Sequence, residues 1–141
     1  MQGEFKMPDI RPINQDKYKI SKHRFLELYH FCMQYQEWKS ELKYLTDTVK
    51  GIDYSGEIKG TGTGSATERL AIRRGELRKK CELIEQTAME ADPEIYQYII
   101  EGVTADYASY KYLKEVKGIP CCKNVYYDRR KKFYWLLSRK K

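Results

Sequence analysis

The chain has 141 residues, 27 Lys+Arg against 20 Asp+Glu, and a formal net charge of +7. Apolar residues make up 41% and charged residues 33%, too apolar for a disordered chain and too charged for a membrane-embedded one. No apolar run approaches the ~20 residues of a membrane span, and the length suits one domain, or a small domain with a helical extension, better than a two-domain enzyme with a deep cleft.

Residues 1–20 mix charges with Pro8 and Pro12 and show no periodicity. They are expected to form an extended arm, and they lack the apolar stretch of a secretory signal. Ser21 is placed as an N-cap. After it, apolar residues recur at Phe25, Leu28, Cys32, Tyr35, Trp38, Leu42, Leu45 and Val49. Steps of three and four predict one long amphipathic helix to about Lys50. Residues 51–64 then break the pattern with five glycines. Gly60-Thr-Gly-Thr-Gly64 has no lysine of a phosphate-binding loop after it and no strand before it, so the segment is expected to be a connector.

Ser65 and Glu68 form a capping box that predicts a helix start. Leu70, Leu77, Ile84 and Ala91 follow at steps of seven, with Arg74, Cys81 and Ala88 interleaved. This heptad-like stripe predicts a second long helix over about 66–91. Two such helices joined by a glycine-rich loop predict a helical hairpin over 21–91, or a dimerising coiled coil. Asp92-Pro93-Glu94 signals another helix start, with Ile95, Tyr98 and Ile99 inward and Gly102 as its stop. A short helix is expected over about 105–117, a turn at Gly118-Ile119-Pro120, and a last helix from 122 or 123 to 138. The expected fold is all-α: an arm (1–20), a coiled-coil-like hairpin (21–91) and a helix-turn-helix unit (92–141).

Charge is unevenly spread. Residues 107–141 hold eleven Lys/Arg against Glu115 and Asp128, a net of +9, while residues 1–106 sum to −2. A localised basic surface attracts polyanions. The same segment is rich in large apolar groups, so it is expected to fold and not to trail as a solvated tail. Its order is helix, glycine turn, basic helix, the order of a helix-turn-helix whose second helix enters the major groove. At ~100° per residue, Val125, Phe133, Leu136 and Leu137 are expected to face inward, with Tyr126 near the edge. Lys123, Asn124, Tyr127, Lys131 and Tyr134 are expected to face outward, with Arg129, Arg130 and Lys132 on the flanks. Lys donates to guanine acceptors and Asn pairs with adenine, so base contacts are expected from Lys123, Asn124, Tyr127 and Lys131. Phosphate contacts are expected from Arg129, Arg130, Lys132 and Arg139. Asp128 is expected to pair with Lys132 at i+4.

Gly102-Val-Thr, Tyr112 to Pro120, and Asn124 to Leu137 together resemble the helix-turn-helix of sigma factor region four. They also resemble the small phage late-gene transcription activators of the RinA/ArpU type. The likeness spans residues ~25–140 in architecture and ~100–138 in motif. The turn departs from the sigma pattern, with Ile119-Pro120-Cys121-Cys122 where a hydroxyl residue is usual. What the resemblance implies is a phage or prophage regulator that binds double-stranded DNA of a promoter or packaging region and touches RNA polymerase; the long helices are expected to make it a dimer. A small-terminase-like packaging component, or a coiled-coil interaction module without nucleic acid, fits the same features.

Nothing in the chain points to catalysis or a cofactor. Cys32, Cys81, Cys121 and Cys122 lack zinc-ligand spacing and are expected to be free thiols in a reducing cytoplasm. His23 and His30 lie seven apart with no ligand cluster, so no metal site is expected.

Overall fold

The computed structural model describes residues 13–14, 17–51 and 63–141. Its elements are β1 (Ile13–Asn14), β2 (Lys19–Ile20), α1 (Lys22–Met33), α2 (Tyr35–Gly51), α3 (Thr63–Ala91), α4 (Tyr96–Thr104), α5 (Tyr110–Glu115) and α6 (Lys123–Lys140). The fold is all-α, apart from a two-residue antiparallel ladder in which Ile13 faces Ile20. No described helix is long and apolar enough to cross a membrane. The rest of the expected arm, and the glycine-rich connector over 52–62, lie outside the described residues.

Ser21 caps α1 by accepting from the Arg24 N–H. The expected single helix from Ser21 to Lys50 is interrupted at Gln34. There the backbone N–H bonds to Phe31 O at 3.2 Å, a tighter i→i−3 turn. The carbonyl of His30, which an unbroken helix would pair with that N–H, accepts instead from the Gln34 side-chain amide. The apolar stripe survives the break: Phe25, Leu28, Cys32, Tyr35, Trp38 and Leu45 are all buried.

α2 and α3 run antiparallel. Near one end the Tyr35 hydroxyl donates to Glu85. Further along α2, Glu41 takes a two-pronged bond from Arg73 at 2.8 and 2.9 Å. On α3 the stripe Leu77, Cys81, Ile84, Ala88 and Ala91 is buried as its spacing requires. Arg74 sits half-buried among these residues with its Nε unpartnered. α3 begins at Thr63, two residues before the expected capping box.

Asp92 acts as a cap, but of a turn and not of a helix. Its Oδ1 accepts from the N–H of Glu94 and of Ile95, and α4 starts only at Tyr96. α4 also runs past the expected stop at Gly102 to Thr104. Gly102 serves closeness, not termination: a Cβ there would strike the Tyr126 hydroxyl of α6.

α6 lies against α3, α1 and α4. Phe25 of α1 meets Tyr134 edge-on at 4.9 Å, and Arg24 donates to the Ser138 carbonyl. One cluster of buried residues draws on all six helices, so the division expected at residue 92 does not divide the core.

Candidate nucleic-acid interface

The α5–α6 corner is built by its turn. Ser109 caps α5 through the Tyr112 N–H. Gly118 adopts φ 72°, a left-handed conformation that costs glycine little. With it, the Ile119 N–H reaches back six residues to Leu113 O at 3.0 Å, so the chain turns back over the end of α5. Ile119 and Leu113 are buried and pin the turn to the core. The Tyr110 hydroxyl donates to Cys121 O at 2.6 Å, tying the start of α5 to the approach into α6.

This corner presents charge. Lys111, Lys114, Lys117, Lys123 and Asn124 are all exposed. Of these lysines, Lys117 has an acid nearby, Glu101 at 3.8 Å. Cys122 gives α6 no side-chain cap, so the first N–H groups of that helix, at the positive end of its dipole, face solvent-side partners. Exposed Val116 and Val125 add apolar spots beside them.

The rest of α6 differs from expectation. Tyr134, expected outward, is fully buried, and Val125, expected inward, is 37% exposed. The buried stripe is Tyr126, Phe133, Tyr134 and Leu137, turned from the expected one by roughly a sixth of the helix circumference at ~100° per residue. The opposite side is covered as well. Tyr18, just before β2, packs its ring 5.8 Å from Trp135, and Lys17 reaches Asp128 at 3.9 Å. The helix is therefore open at its two ends and flanked along its middle.

The expected contact residues divide accordingly. Lys123 and Asn124 are exposed at the corner, while Tyr127 and Lys131 are half-buried. Arg129, expected on phosphate, bonds Asp92 at 3.0 Å and Asp128 at 2.6 Å. Asp128 thus pairs with Arg129 and Lys17, not with Lys132. Arg130, also expected on phosphate, turns inward and stands 5.3 Å over the Tyr134 ring. Lys132 is half-buried. Arg139 is exposed and stacks 4.9 Å over Trp135, and Lys140 bonds Glu90 and Thr87 of α3. Sequence reasoning did not assign Lys111, Lys114 and Lys117, which are exposed on α5 and at the turn ahead of Lys123; the glycine between two lysine-bearing helices was the signal available.

The thiols are unreactive in character where buried. Cys32 and Cys81 have pKa values raised chiefly by burial, and all four cysteines are free, Cys122 being exposed. No group of three potential metal ligands occurs among the described residues. Searches against family models, curated proteins and solved structures return no match for this chain.

Proposed function

We propose that the chain binds duplex DNA with the α5–turn–α6 corner, the N-terminal end of α6 entering the major groove. The observation that carries this reading is that Lys111, Lys114, Lys117, Lys123 and Asn124, which flank the Gly118 turn in sequence, are all exposed. Lys123 and Asn124 stand where a recognition helix reaches base edges, and their chemistry suits guanine and adenine. Lys111, Lys114 and Lys117, with the uncapped amides of α6, suit phosphate oxygens. Arg129 and Arg130 drop out of the interface, because the first is paired and the second is turned inward.

The biological role follows as a DNA-binding regulator of phage or prophage transcription, acting in the cytoplasm as a dimer and contacting RNA polymerase. Its support is the sigma-like order of helix, glycine turn and basic helix. Exposed Tyr44 on α2 and Ile72 on α3 are the apolar groups that a second copy would cover.

Selection from a random pool of duplexes tests the reading. An enriched motif is expected with the native chain. Lys123→Ala/Asn124→Ala is expected to retain affinity for bulk duplex while losing the motif. A pool that emerges unenriched from the native protein overturns sequence-specific recognition. Absence of any duplex binding at low salt overturns the whole proposal.

A further inference from the structure

Among the described residues Arg130, like Arg74 of α3, is a half-buried arginine that holds no carboxylate. Arg24, Arg73 and Arg129 each hold a carboxylate. Arg130 is half-buried and, among the described residues, has neither ion pair nor hydrogen bond. Taking a guanidinium partly out of water without a counter-charge is costly. The Tyr134 ring offsets part of that cost, but a ring face leaves the donor fork of the guanidinium unused.

Arg130 lines a cleft of ≈ 170 Å³ between α1, the α4–α5 connection and α6, together with Tyr29, Gly102, Asp106, Ser109 and Tyr127. One water needs roughly 15 Å³ by that kind of measure, so the space exceeds a solvent vacancy. A second cleft of ≈ 400 Å³ shares Tyr29, Met33 and Asp106 with it and opens outward past His30 and Tyr107. Burial first, then Asp106, raises the Tyr29 pKa, and Arg130 opposes them. Tyr29 is thus a protonated phenol lying near both charges. Tyr126 is held protonated in the same way, chiefly by burial.

We infer that this cleft binds a small oxyanion, a carboxylate or a phosphate monoester with a compact apolar body, whose charged end meets Arg130. A planar guanidinium fork matches either headgroup with two parallel bonds. The phenols of Tyr29 and Tyr127 supply donors beside it, and the apolar surface of the tyrosine rings and Met33 suits the body of the ligand. Asp106 stands exposed at the rim, where its negative charge weakens anions and favours a ligand that also carries a donor. Because Arg130 belongs to α6 and Ser109 caps α5, a bound oxyanion bridges the two helices of the corner. The inference stands without the DNA reading, since none of its tests contains nucleic acid.

Calorimetric titration of the full chain with benzoate, phenyl phosphate and inorganic phosphate, against chloride, tests it. Saturable binding of at least one oxyanion is expected, with amide shifts at Tyr29, Gly102 and Ser109 by NMR. Benzoate without phosphate binding identifies the carboxylate class, and the reverse identifies the phosphate class. Arg130→Gln is expected to weaken binding about tenfold or more, the loss of charge-assisted bonds. Asp106→Asn, an exposed change that leaves the core alone, is expected to tighten binding severalfold. No saturable binding of any probe at millimolar concentration overturns the inference. So does binding that Asp106→Asn leaves unchanged, whether or not Arg130→Gln folds.

Discussion

Two glycines in helix interiors make a paired test of the packing between α4 and α6. Gly102→Ala and Gly75→Ala add the same methyl group and remove the same backbone freedom. In a helix interior that exchange stabilises by ~0.5–1 kcal/mol when the methyl has room. At Gly75 no atom lies within 4 Å of the added carbon, so the gain is expected almost whole. At Gly102 the new Cβ runs into the Tyr126 hydroxyl, with the ring carbon beneath it at 3.2 Å and Leu113 at 3.6 Å. Tyr126 is buried to 1% exposure, so it has no solvent to swing into. Overpacking of this kind costs ~1–3 kcal/mol, which at mid-range leaves Gly102→Ala less stable than the native chain by about 1 kcal/mol. Adding Tyr126→Phe removes the oxygen and is expected to recover most of the loss, a coupling that a double-mutant cycle reads directly. Urea unfolding followed by far-ultraviolet dichroism measures the native chain, Gly75→Ala, Gly102→Ala, Tyr126→Phe and the Gly102→Ala/Tyr126→Phe pair. A Gly102→Ala protein as stable as the native one, or a Gly75→Ala protein less stable, would refute the reasoning.

Alkali probes the same tyrosine. Burial is the largest cause pushing Tyr126 up from 10.0 to about 12, so its neutral form is favoured in the folded state. That stability is fully present below pH ~10 and is lost as pH rises through the folded value. At ~1.4 kcal/mol per pH unit, Tyr126 alone removes about 3 kcal/mol of stability by pH ~12. Unfolding midpoints across that range are expected to fall less steeply in Tyr126→Phe, and equal slopes would contradict the assignment. Asp92→Ala removes both a turn cap and the partner of Arg129, where the Asp92 side chain is only 15% exposed. The expected cost is about 2 kcal/mol, with Asp92→Asn losing less because its carbonyl still caps. Equal losses in thermal unfolding would show that the cap contributes nothing.

The sequence reveals the helices well and their orientation poorly. Steps of three and four from Phe25 to Leu45, and of seven from Leu70 to Ala91, identify core faces because each has charged residues on its other side. α6 offers no such contrast. Tyr126, Tyr127, Phe133, Tyr134, Trp135, Leu136 and Leu137 surround much of the helix, so an apolar stripe drawn from spacing alone has several equivalent choices. The choice falls to tertiary partners: Phe25 accepts Tyr134, and Tyr18 covers Trp135. The break at Gln34 carries no glycine or proline to announce it. The Asp92–Arg129 pair spans 37 residues, beyond the reach of any local pattern. The turn at Gly118, by contrast, was legible, because a left-handed position at a helix end selects glycine. The basic corner follows from that turn, whereas the inward Arg130 follows from the unforeseen rotation of α6.

The central claim is that DNA binding resides at the α5–α6 corner and does not arise from net charge. Two triple variants of equal charge separate these: Lys111→Ala/Lys114→Ala/Lys117→Ala at the corner, and Lys22→Ala/Lys43→Ala/Lys79→Ala at exposed lysines elsewhere. Fluorescence anisotropy with a labelled duplex, repeated over a range of salt, measures the slope of log affinity against log salt for each. The corner variant is expected to flatten that slope by about 2.7, near 0.9 for each lost phosphate contact, while the second variant keeps a slope close to native. Equal slopes for the two variants would contradict the account.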